Sequence, residues 1–387
     1  MSGSRVRLIF VTASLSLGGA ERHSITVMNR LAERGHECHA VYIKNEDKQV
    51  SRIRLRNGGA ARCLNAARYF DLRALAEFAA YISSVRPSAI VAANPYALMY
   101  CSLALRLSRL RAPLIVTYHS TRLLGAKEQL QMMIYRLFFW ISDCVVFVCE
   151  KQRRYWLRRG VFSRRNELIY NGVDTEEFCD SWSPEERGRL RSALGFSDAD
   201  FVIGISALLR PEKNHMRLVD AVAKLRKMGI AARALMIGDG VMRRAIEARA
   251  LALRLEGDVV ITGLQEDVRP YIAACDAVVI CSDAETFSLA ALEAMALGRP
   301  VVHSDIGGAA EMIRPGENGF LFPVGDTEAL VDRLARLSDR AGRERMGRKA
   351  RETIEARFSE RVMVDRYERL LLDLCRTSLS AEEAAVH

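Results

Sequence analysis

The chain has 387 residues, half of them apolar, with a mean hydropathy near zero, which fits a soluble globular protein long enough for two domains. Residues 1–174 carry 27 Lys and Arg against 12 Asp and Glu, and the remainder carries 30 against 35, so the net charge of +10 belongs to the first half. This balance predicts an anionic membrane face or an anionic acceptor as partner, unless it is only a solvated basic surface. No RNP, helix-turn-helix or zinc-knuckle pattern accompanies it, so we expect no nucleic acid as partner.

The sequence favours the cytoplasm as the location. Nine cysteines occur without metal-ligand spacing, and the apolar runs around Cys144, Cys149 and Cys281 predict buried free thiols of a reducing compartment. "MSGSRVR" runs directly into "LIFVTA", which predicts a first strand and not a secretory h-region. The longest apolar segment, "MMIYRLFFWISDCVVFVC", is interrupted by Arg136 and Asp143, so we expect no transmembrane helix. Peripheral attachment at the inner membrane face stays open.

The first half alternates short apolar runs with amphipathic segments. "VRLIFVTASL" predicts a strand, and "GGAERHSITVMNRLAERG" predicts a helix that ends at Gly35. The further predicted strands are "CHAVYI", "AIVAANP", "PLIVTYHS", "CVVFVCE" and "RNELIYNGVD", with helical segments such as "LRALAEFAAYISSVRP" and "LMYCSLALRLSRLR" between them. Continuous apolar strands that alternate with helices predict a parallel sheet covered on both faces.

A polar, strand-free stretch at 175–200 precedes a second series of the same kind, with strands at "FVIGISAL", "ARALMIGDG", "VVITG", "AVVICS" and "PVVHSD". We therefore predict an α/β protein with two doubly wound parallel-sheet, Rossmann-like domains that face each other across a cleft. Their predicted bounds are 1–174 and 175–356, and 357–387 is predicted as a helix that packs at or across the domain junction. Ligands of such sheets bind beyond the carboxyl ends of the strands, so the cleft is the expected site.

Three candidate sites follow predicted strand ends. Gly18 and Gly19 allow a ligand to approach the backbone before a helix start, or they form a simple tight turn; without GxGxxG or a Walker lysine, a dinucleotide is not expected. His119 in "LIVTYHS" can orient a hydroxyl or transfer a proton, unless it is an ordinary loop histidine. Arg210 and Lys213 in "ALLRPEKNH" suit a diphosphate, unless they are surface charges of a turn.

The segment "DAETFSLAALEAMALGRPVV" contains two glutamates, Glu285 and Glu293. If both were helical, eight residues would separate them by about 12 Å along the axis and roughly 80° around it. That separation is too large for a shared metal and matches a glycosidase acid–base pair poorly. We expect Glu285 in the loop before a helix and Glu293 about two turns into it. The N–H groups of Thr286, Phe287 and Ser288 would then be available to a phosphate.

The spacing from Glu285 to Glu293, together with "GGAERH", "VTYHS", "IYNGVDTEEF", "RPEKNH", "MIGDG" and "NGFLFPVGDTEAL", resembles the GT-B retaining glycosyltransferases of family 4, with its E-x7-E motif. The likeness covers most of the chain and is weaker across 40–115. It implies an enzyme that moves a sugar from a UDP- or GDP-sugar to an acceptor hydroxyl with retention of configuration. The implied setting is bacterial cell-surface glycan or glycolipid synthesis, with a glycan or lipid-linked acceptor and without a cofactor or metal.

By position, the resemblance assigns the donor mainly to residues 175–356 and the acceptor to residues 1–174. Glu293 would hold the ribose hydroxyls, and Glu285 would touch the transferred sugar. Arg210, Lys213 and the N–H groups of Thr286, Phe287 and Ser288 would hold the diphosphate. The other implied positions are Gly238, Asp239 and Leu264 at the nucleobase, Gly19 beside the donor phosphate and the acceptor, and His119 near the sugar and the acceptor. Leu208 stands where many members have an arginine, and Arg210 is the arginine nearest to it.

Two other functions stay open at this point. One is a GT-B isomerase such as a nucleotide-sugar 2-epimerase, and the other is a non-catalytic nucleotide-sugar binder. The segment "RLLGAKEQLQMMIYRLFFW" also has two interpretations, as an amphipathic segment at a membrane surface or as a helix buried against its own sheet.

Overall fold

The computed structural model describes residues 5–16, 18–121 and 125–386. The chain divides into two compact units, one of Met1–Asn171 with Arg361–His387 and the other of Gly172–Glu360. It therefore leaves the first unit once and returns to it with its last helix. No helix in the described part of the chain is long and apolar enough to cross a membrane.

The first unit contains a parallel sheet of seven strands in the order β3-β2-β1-β4-β5-β6-β7. Its strands are Arg7–Thr12 (β1), Glu37–Tyr42 (β2), Ala61–Cys63 (β3), Ala89–Ala93 (β4), Leu114–Tyr118 (β5), Cys144–Phe147 (β6) and Arg165–Leu168 (β7). The helices between them are Gly19–Glu33 (α1), Leu72–Val85 (α2), Asn94–Ser108 (α3), Ala126–Ile141 (α4) and Glu150–Leu157 (α5). Buried side chains of α2, α3 and α4 cover one face of the sheet, and those of α1 cover the other.

The second unit contains a parallel sheet of six strands in the order β10-β9-β8-β11-β12-β13. Its strands are Phe201–Ser206 (β8), Ala232–Ile237 (β9), Val259–Ile261 (β10), Ala277–Ile280 (β11), Val301–Ser304 (β12) and Gly319–Phe322 (β13). Its helices are Pro184–Ala193 (α6), His215–Lys227 (α7), Arg243–Ala252 (α8), Arg269–Ala273 (α9), Leu289–Ala296 (α10), Ala309–Met312 (α11), Thr327–Arg336 (α12) and Arg340–Thr353 (α13). The two sheets confirm the predicted architecture of two doubly wound, Rossmann-like domains.

The last helix, Glu360–Val386 (α14), packs on the first unit. Its residues Met363, Val364 and Tyr367 share an apolar cluster with α1. At the surface, Arg34 donates to Asp365 at 2.6 Å and to Glu368 at 2.5 Å. Apolar burial therefore drives the return of the chain to the first unit, and the exposed ion pairs contribute little.

Both sheets reverse their strand order once, between β1 and β4 in the first unit and between β8 and β11 in the second. At such a point the loops that follow the two neighbouring strands lead to opposite faces of the sheet and leave a crevice between them. The fold therefore offers a ligand position after β1 and β4 and another after β8 and β11. The predicted site residues follow strands at or beside these positions.

Candidate functional site

An ion pair lies at the order reversal of the second sheet. Lys213 follows β8 and Glu285 follows β11, and Nζ of the lysine lies 2.6 Å from Oε2 of the glutamate. The side chains are 28% and 18% exposed, so the pair is partly shielded and still reachable from solvent. The structure thus brings together two residues that are 72 positions apart in the sequence.

Further contacts fix the two loops that carry this pair. The N–H of Asp283 donates to the carbonyl of Glu212 at 2.9 Å, and the Asp283 carboxylate accepts from Asn214 at 2.9 Å and from Arg217 at 3.1 Å. Arg217 is buried and also donates to the carbonyl of Cys281 at 2.9 Å. The loop after β8 and the loop after β11 are therefore cross-linked through Asp283, two residues before Glu285.

Gly307 supports the loop of Glu285 from the side of β12. Its φ of +56° lies in the left-handed region, and a Cβ there would overlap the carbonyl oxygens of Glu285 and Thr286. The N–H of Gly308 donates to the carbonyl of Thr286 at 2.7 Å. Only a glycine allows this close approach, so the position of the Glu285 loop depends on residue 307.

Glu293 lies in α10, and the structure places it closer to the helix start than the sequence predicted. Helix α10 begins at Leu289, so Glu293 is its fifth residue, little more than one turn in and not two. The Glu293 side chain is only 5% exposed on an otherwise apolar helix. A carboxylate so deeply buried is costly unless polar groups surround it, which is typical of a functional position.

The residues between the two glutamates form the loop that leads into α10. The Phe287 ring is buried and packs against Phe358 at 5.5 Å between centroids, and the Ser288 hydroxyl accepts from the Ala291 N–H at 3.3 Å as the N-cap of α10. Thr286 is partly exposed in the same loop. The side chains of Phe287 and Ser288 therefore hold the start of α10 in place.

The predicted nucleobase end lies along the same edge of the second sheet, after β9 and β10. Gly238 pairs with Gly263 in an antiparallel bridge, and the Asp239 carboxylate accepts from the Gly240 N–H at 2.7 Å and from Arg243 at 3.0 Å. Leu264 is 63% exposed beside them. Two strand spacings, about 10 Å, separate β9 from β11, so one extended ligand can reach both groups.

Arg210 differs from Lys213 in its surroundings. It is exposed and precedes the short 3₁₀ turn Pro211–Lys213, whereas Lys213 at the end of that turn is held by Glu285. The structure therefore places Lys213 in the polar cluster and leaves Arg210 at its margin.

Two buried histidines flank the ion pair. His215 is 2% exposed, and neither of its ring nitrogens has a hydrogen-bond partner among residues 5–16, 18–121 and 125–386. Burial, with a smaller effect of the Lys213 charge, lowers the pKa of His215 to about 4. His303 in β12 contacts the carbonyl of Ser304 through Nδ1 at 2.6 Å, and burial lowers its pKa as well. Both imidazoles are therefore neutral near pH 7.

In the first unit, His119 follows β5 and lies next to His23 of α1, with 4.7 Å between the ring centroids. The main-chain N–H of His119 donates to Asn94 Oδ1 at 3.1 Å, and Asn94 itself follows β4. On the other side, His23 Nε2 lies 3.0 Å from the hydroxyl of Tyr367 on α14. The carboxyl ends of β4 and β5 and the first helix thus meet at His119.

His119 is neutral near pH 7. Burial lowers its pKa to about 4, and its Nε2 is a buried atom without a hydrogen-bond partner in the described part of the chain. Burial and the neighbouring His119 also lower the pKa of His23. A neutral imidazole with an unused nitrogen can exchange a hydrogen bond with a substrate hydroxyl, as predicted for this position.

Gly19 is the first residue of α1, directly after the N-cap Gly18. A Cβ on Gly18 would overlap Oε2 of Glu21, so the glycine lets this carboxylate fold back over the helix start. Burial raises the pKa of Glu21, and repulsion from Glu46 raises it further. A hydrogen bond to the backbone of Glu21 itself lowers the pKa, but this effect is smaller than that of burial. The predicted glycine turn is therefore occupied by an acidic side chain.

The sequence prediction missed several residues that support these groups. They are His23, Asn94, Arg217, Asp283 and Gly307. Each lies within a quoted or neighbouring motif, but its role depends on a contact with a distant segment. Across the described residues, no group of three or more His, Cys, Asp or Glu is placed to hold a metal ion.

Comparison with known proteins identifies the family. Residues 17–177 match the model of "Glycosyltransferase Family 4", and residues 186–353 match that of "Glycosyl transferases group 1". The two models follow each other along the chain and together cover most of it. The chain belongs to the GT-B glycosyltransferases of family 4.

Individual members of this family match over part of their length. EpsD of Bacillus subtilis (strain 168) is 32% identical over 244 residues, which are 61% of this chain and 63% of EpsD. N-acetyl-alpha-D-glucosaminyl L-malate synthase of Bacillus anthracis is 28% identical over 269 residues, which are 69% of each chain. Lipopolysaccharide core biosynthesis glycosyltransferase LpsE of Rhizobium meliloti (strain 1021) is 31% identical over 176 residues, which are 45% of this chain and 50% of LpsE.

Solved structures of the fold match over nearly the whole chain. HepE of Anabaena in complex with UDP has a TM-score of 0.82 at 23% identity, over 94% of this chain and 99% of HepE. Sucrose-phosphate synthase from Thermosynechococcus elongatus has a TM-score of 0.80 at 22% identity, over 97% of this chain and 100% of that protein. At this level of identity the likeness establishes the GT-B fold.

The contact at Gly307 gives a test with a matched control. Gly307→Ala and Gly316→Ala both place an alanine at positive φ, +56° and +83°, but nothing lies within 4 Å of a Cβ at 316. Each variant should lose roughly 1 kcal/mol for its backbone conformation. Gly307→Ala should lose about 1–3 kcal/mol more, because backbone atoms must shift. Urea unfolding measures both, and equal losses would contradict the proposed packing.

Burial of His215 predicts a pH-dependent stability. The pKa of about 4 in the fold lies below the ordinary value of 6.5, so its stabilising effect is complete above pH 6.5 and is lost as the pH falls through 4. His215→Gln removes this titration. Between pH 7 and about pH 4.5, wild type should lose about 2 kcal/mol more unfolding free energy than the variant. Equal losses in denaturant titrations at the two pH values would show that His215 titrates normally.

Proposed function

We propose that this protein is a retaining glycosyltransferase that moves a sugar from a UDP- or GDP-linked donor to an acceptor hydroxyl. The observation that carries the proposal is the cluster at the order reversal of the second sheet. There Lys213 and Glu285 lie 2.6 Å apart, and Glu293 is buried in the helix that follows. A cation beside a helix start suits a diphosphate, and carboxylates on either side suit the hydroxyls of two sugar rings.

Each residue has a role in the proposed complex. Lys213, Arg210 and the N–H groups of Thr286, Phe287 and Ser288 bind the diphosphate. Glu293 accepts hydrogen bonds from the ribose hydroxyls, and Glu285 accepts from the transferred sugar. The nucleobase lies against Gly238, Asp239 and Leu264. Gly19 borders the donor phosphate and the acceptor, and His119 exchanges a hydrogen bond with the sugar or the acceptor.

The proposed reaction uses the leaving group as a base. The acceptor oxygen bonds to the anomeric carbon on the face from which the diphosphate departs, the bond from that carbon to the phosphate oxygen breaks, and the acceptor proton passes to the diphosphate. Lys213 and the helix start stabilise the charge that develops on the departing diphosphate. This account needs no protein nucleophile and no metal ion, and activity that survives EDTA would support it.

The contact between Lys213 and Glu285 implies an additional step in donor binding. Lys213 is held by Glu285, so a bound diphosphate competes with that carboxylate for the ammonium group. Glu285 then becomes available to the sugar hydroxyls. Because the pair is partly exposed, its separation costs on the order of 1 kcal/mol or less, which diphosphate contacts can offset.

The proposed acceptor is a glycan or lipid-linked molecule in bacterial cell-surface glycan or glycolipid synthesis. Two observations support this choice: the excess of basic residues in 1–174, and the similarity to LpsE, whose name refers to lipopolysaccharide core biosynthesis. We place the protein in the cytoplasm, peripheral to the inner face of the membrane. No nucleic-acid partner is part of the proposal.

Transfer by two variants tests the proposal. Lys213→Ala and Glu293→Ala should each lower kcat/KM at least about a hundredfold, which is the usual effect of removing a group that stabilises the transition state. Lys349→Ala changes an exposed lysine of α13 and should transfer normally. The assay combines a panel of nucleotide sugars with membrane extract as acceptor, and NMR of the product reports the anomeric configuration.

Three outcomes would contradict the proposal. Near-normal transfer by both folded variants would contradict the assignment of Lys213 and Glu293 to the donor site. Inversion of the anomeric centre would remove the mechanism. Conversion of the donor to an epimer without acceptor would assign the protein to the isomerases instead.

A further inference from the structure

Helix α4 of the first unit is apolar on two opposite sides. Its inner side chains Met132, Tyr135 and Phe139 are at most 9% exposed and belong to the core of the unit. Its outer side carries six large apolar residues that are between 43% and 64% exposed: Leu130, Met133, Ile134, Leu137, Trp140 and Ile141. The sequence left open whether this segment is buried or membrane-facing; in the structure one side of α4 is buried and the opposite side is exposed. Residues 122–124 of the predicted segment lie outside the described residues.

The six outer residues form a continuous stripe. Their spacing follows the helical repeat and confines them to roughly 120° of the circumference. A surface helix of a globular protein normally carries polar residues on this side. Single exposed apolar residues are common, but a contiguous patch indicates a contact surface.

The stripe continues beyond α4. The Trp140 ring stacks on Phe162 at 6.0 Å between centroids, and its Nε1 donates to the carbonyl of Gly160 at 2.9 Å. Phe162 is 44% exposed, and Leu107 at the end of the neighbouring helix α3 is 56% exposed. The apolar surface therefore continues from α4 to Phe162 through the Trp140 ring, whose Nε1 already has a hydrogen-bond partner.

Exposed arginines border the end of the stripe. In parallel β–α–β units the helices run antiparallel to the strands, so α3, α4 and α5 end at one edge of the sheet. Six exposed arginines lie in the last turn of α3 or in the segments that follow α3 and α5: Arg106, Arg109, Arg111, Arg158, Arg159 and Arg164. Arg164 lies 3.3 Å from Asp143, directly after α4, which confirms that this edge adjoins Trp140 and Ile141.

We propose that the outer face of α4, with its border of arginines, docks on the surface of an anionic lipid bilayer. Apolar side chains of an interfacial helix enter the boundary of headgroups and acyl chains, and basic residues beside them bind anionic headgroups. A tryptophan with a satisfied N–H suits that boundary. The inference rests on the proposed membrane location but not on sugar transfer, so each can fail separately.

The charge of the protein favours a bilayer over a second copy of the chain. A second copy carries the same net charge of +10, and its own arginine border would add like charges to the contact. An anionic bilayer attracts the same border. The aliphatic and aromatic residues of the stripe can also pack against lipid, because a fluid bilayer has no fixed shape that the protein surface must match.

Flotation of the full-length protein with vesicles tests the proposal. The vesicles contain phosphatidylcholine alone or mixed with phosphatidylglycerol. Met133→Ser/Leu137→Ser removes two residues of the stripe, and Val241→Ser/Leu251→Ser removes two exposed apolar residues of the second unit as a control. We expect the stripe variant to lose at least about tenfold in partition onto mixed vesicles, and the control to bind like wild type.

A second variant examines the arginines. Arg109→Gln/Arg111→Gln should weaken binding to mixed vesicles about tenfold at low salt and should leave weak binding to pure phosphatidylcholine unchanged. Thermal unfolding verifies that all variants are folded. Equal partition of wild type and the stripe variant would overturn the proposal, and so would dimers in light scattering that Met133→Ser/Leu137→Ser dissociates. Vesicle binding without sugar transfer would contradict the proposed function alone.

Discussion

The contact between Lys213 and Glu285 is the interaction on which the site depends. It exists because the second sheet reverses its strand order between β8 and β11, which brings the loops after these two strands side by side. The loops are short, so the bonds of Asp283 to Arg217 and Asn214 suffice to fix them. The arrangement pre-forms a position for a charged ligand, and a ligand that binds there gives up little of its binding energy to order the protein.

The ion pair gives the Lys213 side chain a carboxylate partner in Glu285. His215 and His303 are buried near this pair, and burial lowers the pKa of both, so they add no charge near pH 7. In the proposed complex, a diphosphate would replace Glu285 as the partner of Lys213, and Glu285 would turn to the sugar. In the first unit, the main-chain N–H of His119 donates to Asn94 Oδ1, and its neutral imidazole packs against the ring of His23. In both units, burial lowers the pKa of the histidines at the candidate site, so their imidazoles are neutral near pH 7.

The sequence predicts most strands of the two sheets, because buried parallel strands are continuous apolar runs. It also predicts that Glu285 and Glu293 lie too far apart to bind one metal ion or to act as an acid–base pair. It does not predict β3, since the three residues Ala61–Cys63 form an edge strand that lacks an apolar run, and it does not assign the edge strand β13, Gly319–Phe322, either. It also cannot show that Lys213 contacts Glu285, or that Gly307 supports the Glu285 loop, because these contacts join segments far apart in the chain. The sequence also cannot show which side of α4 is buried. Apolar periodicity indicates that a helix has apolar faces, but not which of them packs against the rest of the protein.

Calorimetric titration of UDP and GDP into wild type, Lys213→Ala and Glu285→Gln tests the central claim most directly. If the diphosphate takes Lys213 from Glu285, one of the two nucleotides binds wild type, Lys213→Ala binds it at least about tenfold more weakly, and Glu285→Gln binds it at least as tightly as wild type. The glutamine variant is the informative one, because it removes the competing charge and keeps the size of the side chain. Unchanged affinity in Lys213→Ala, or weaker nucleotide binding in Glu285→Gln, would contradict the account.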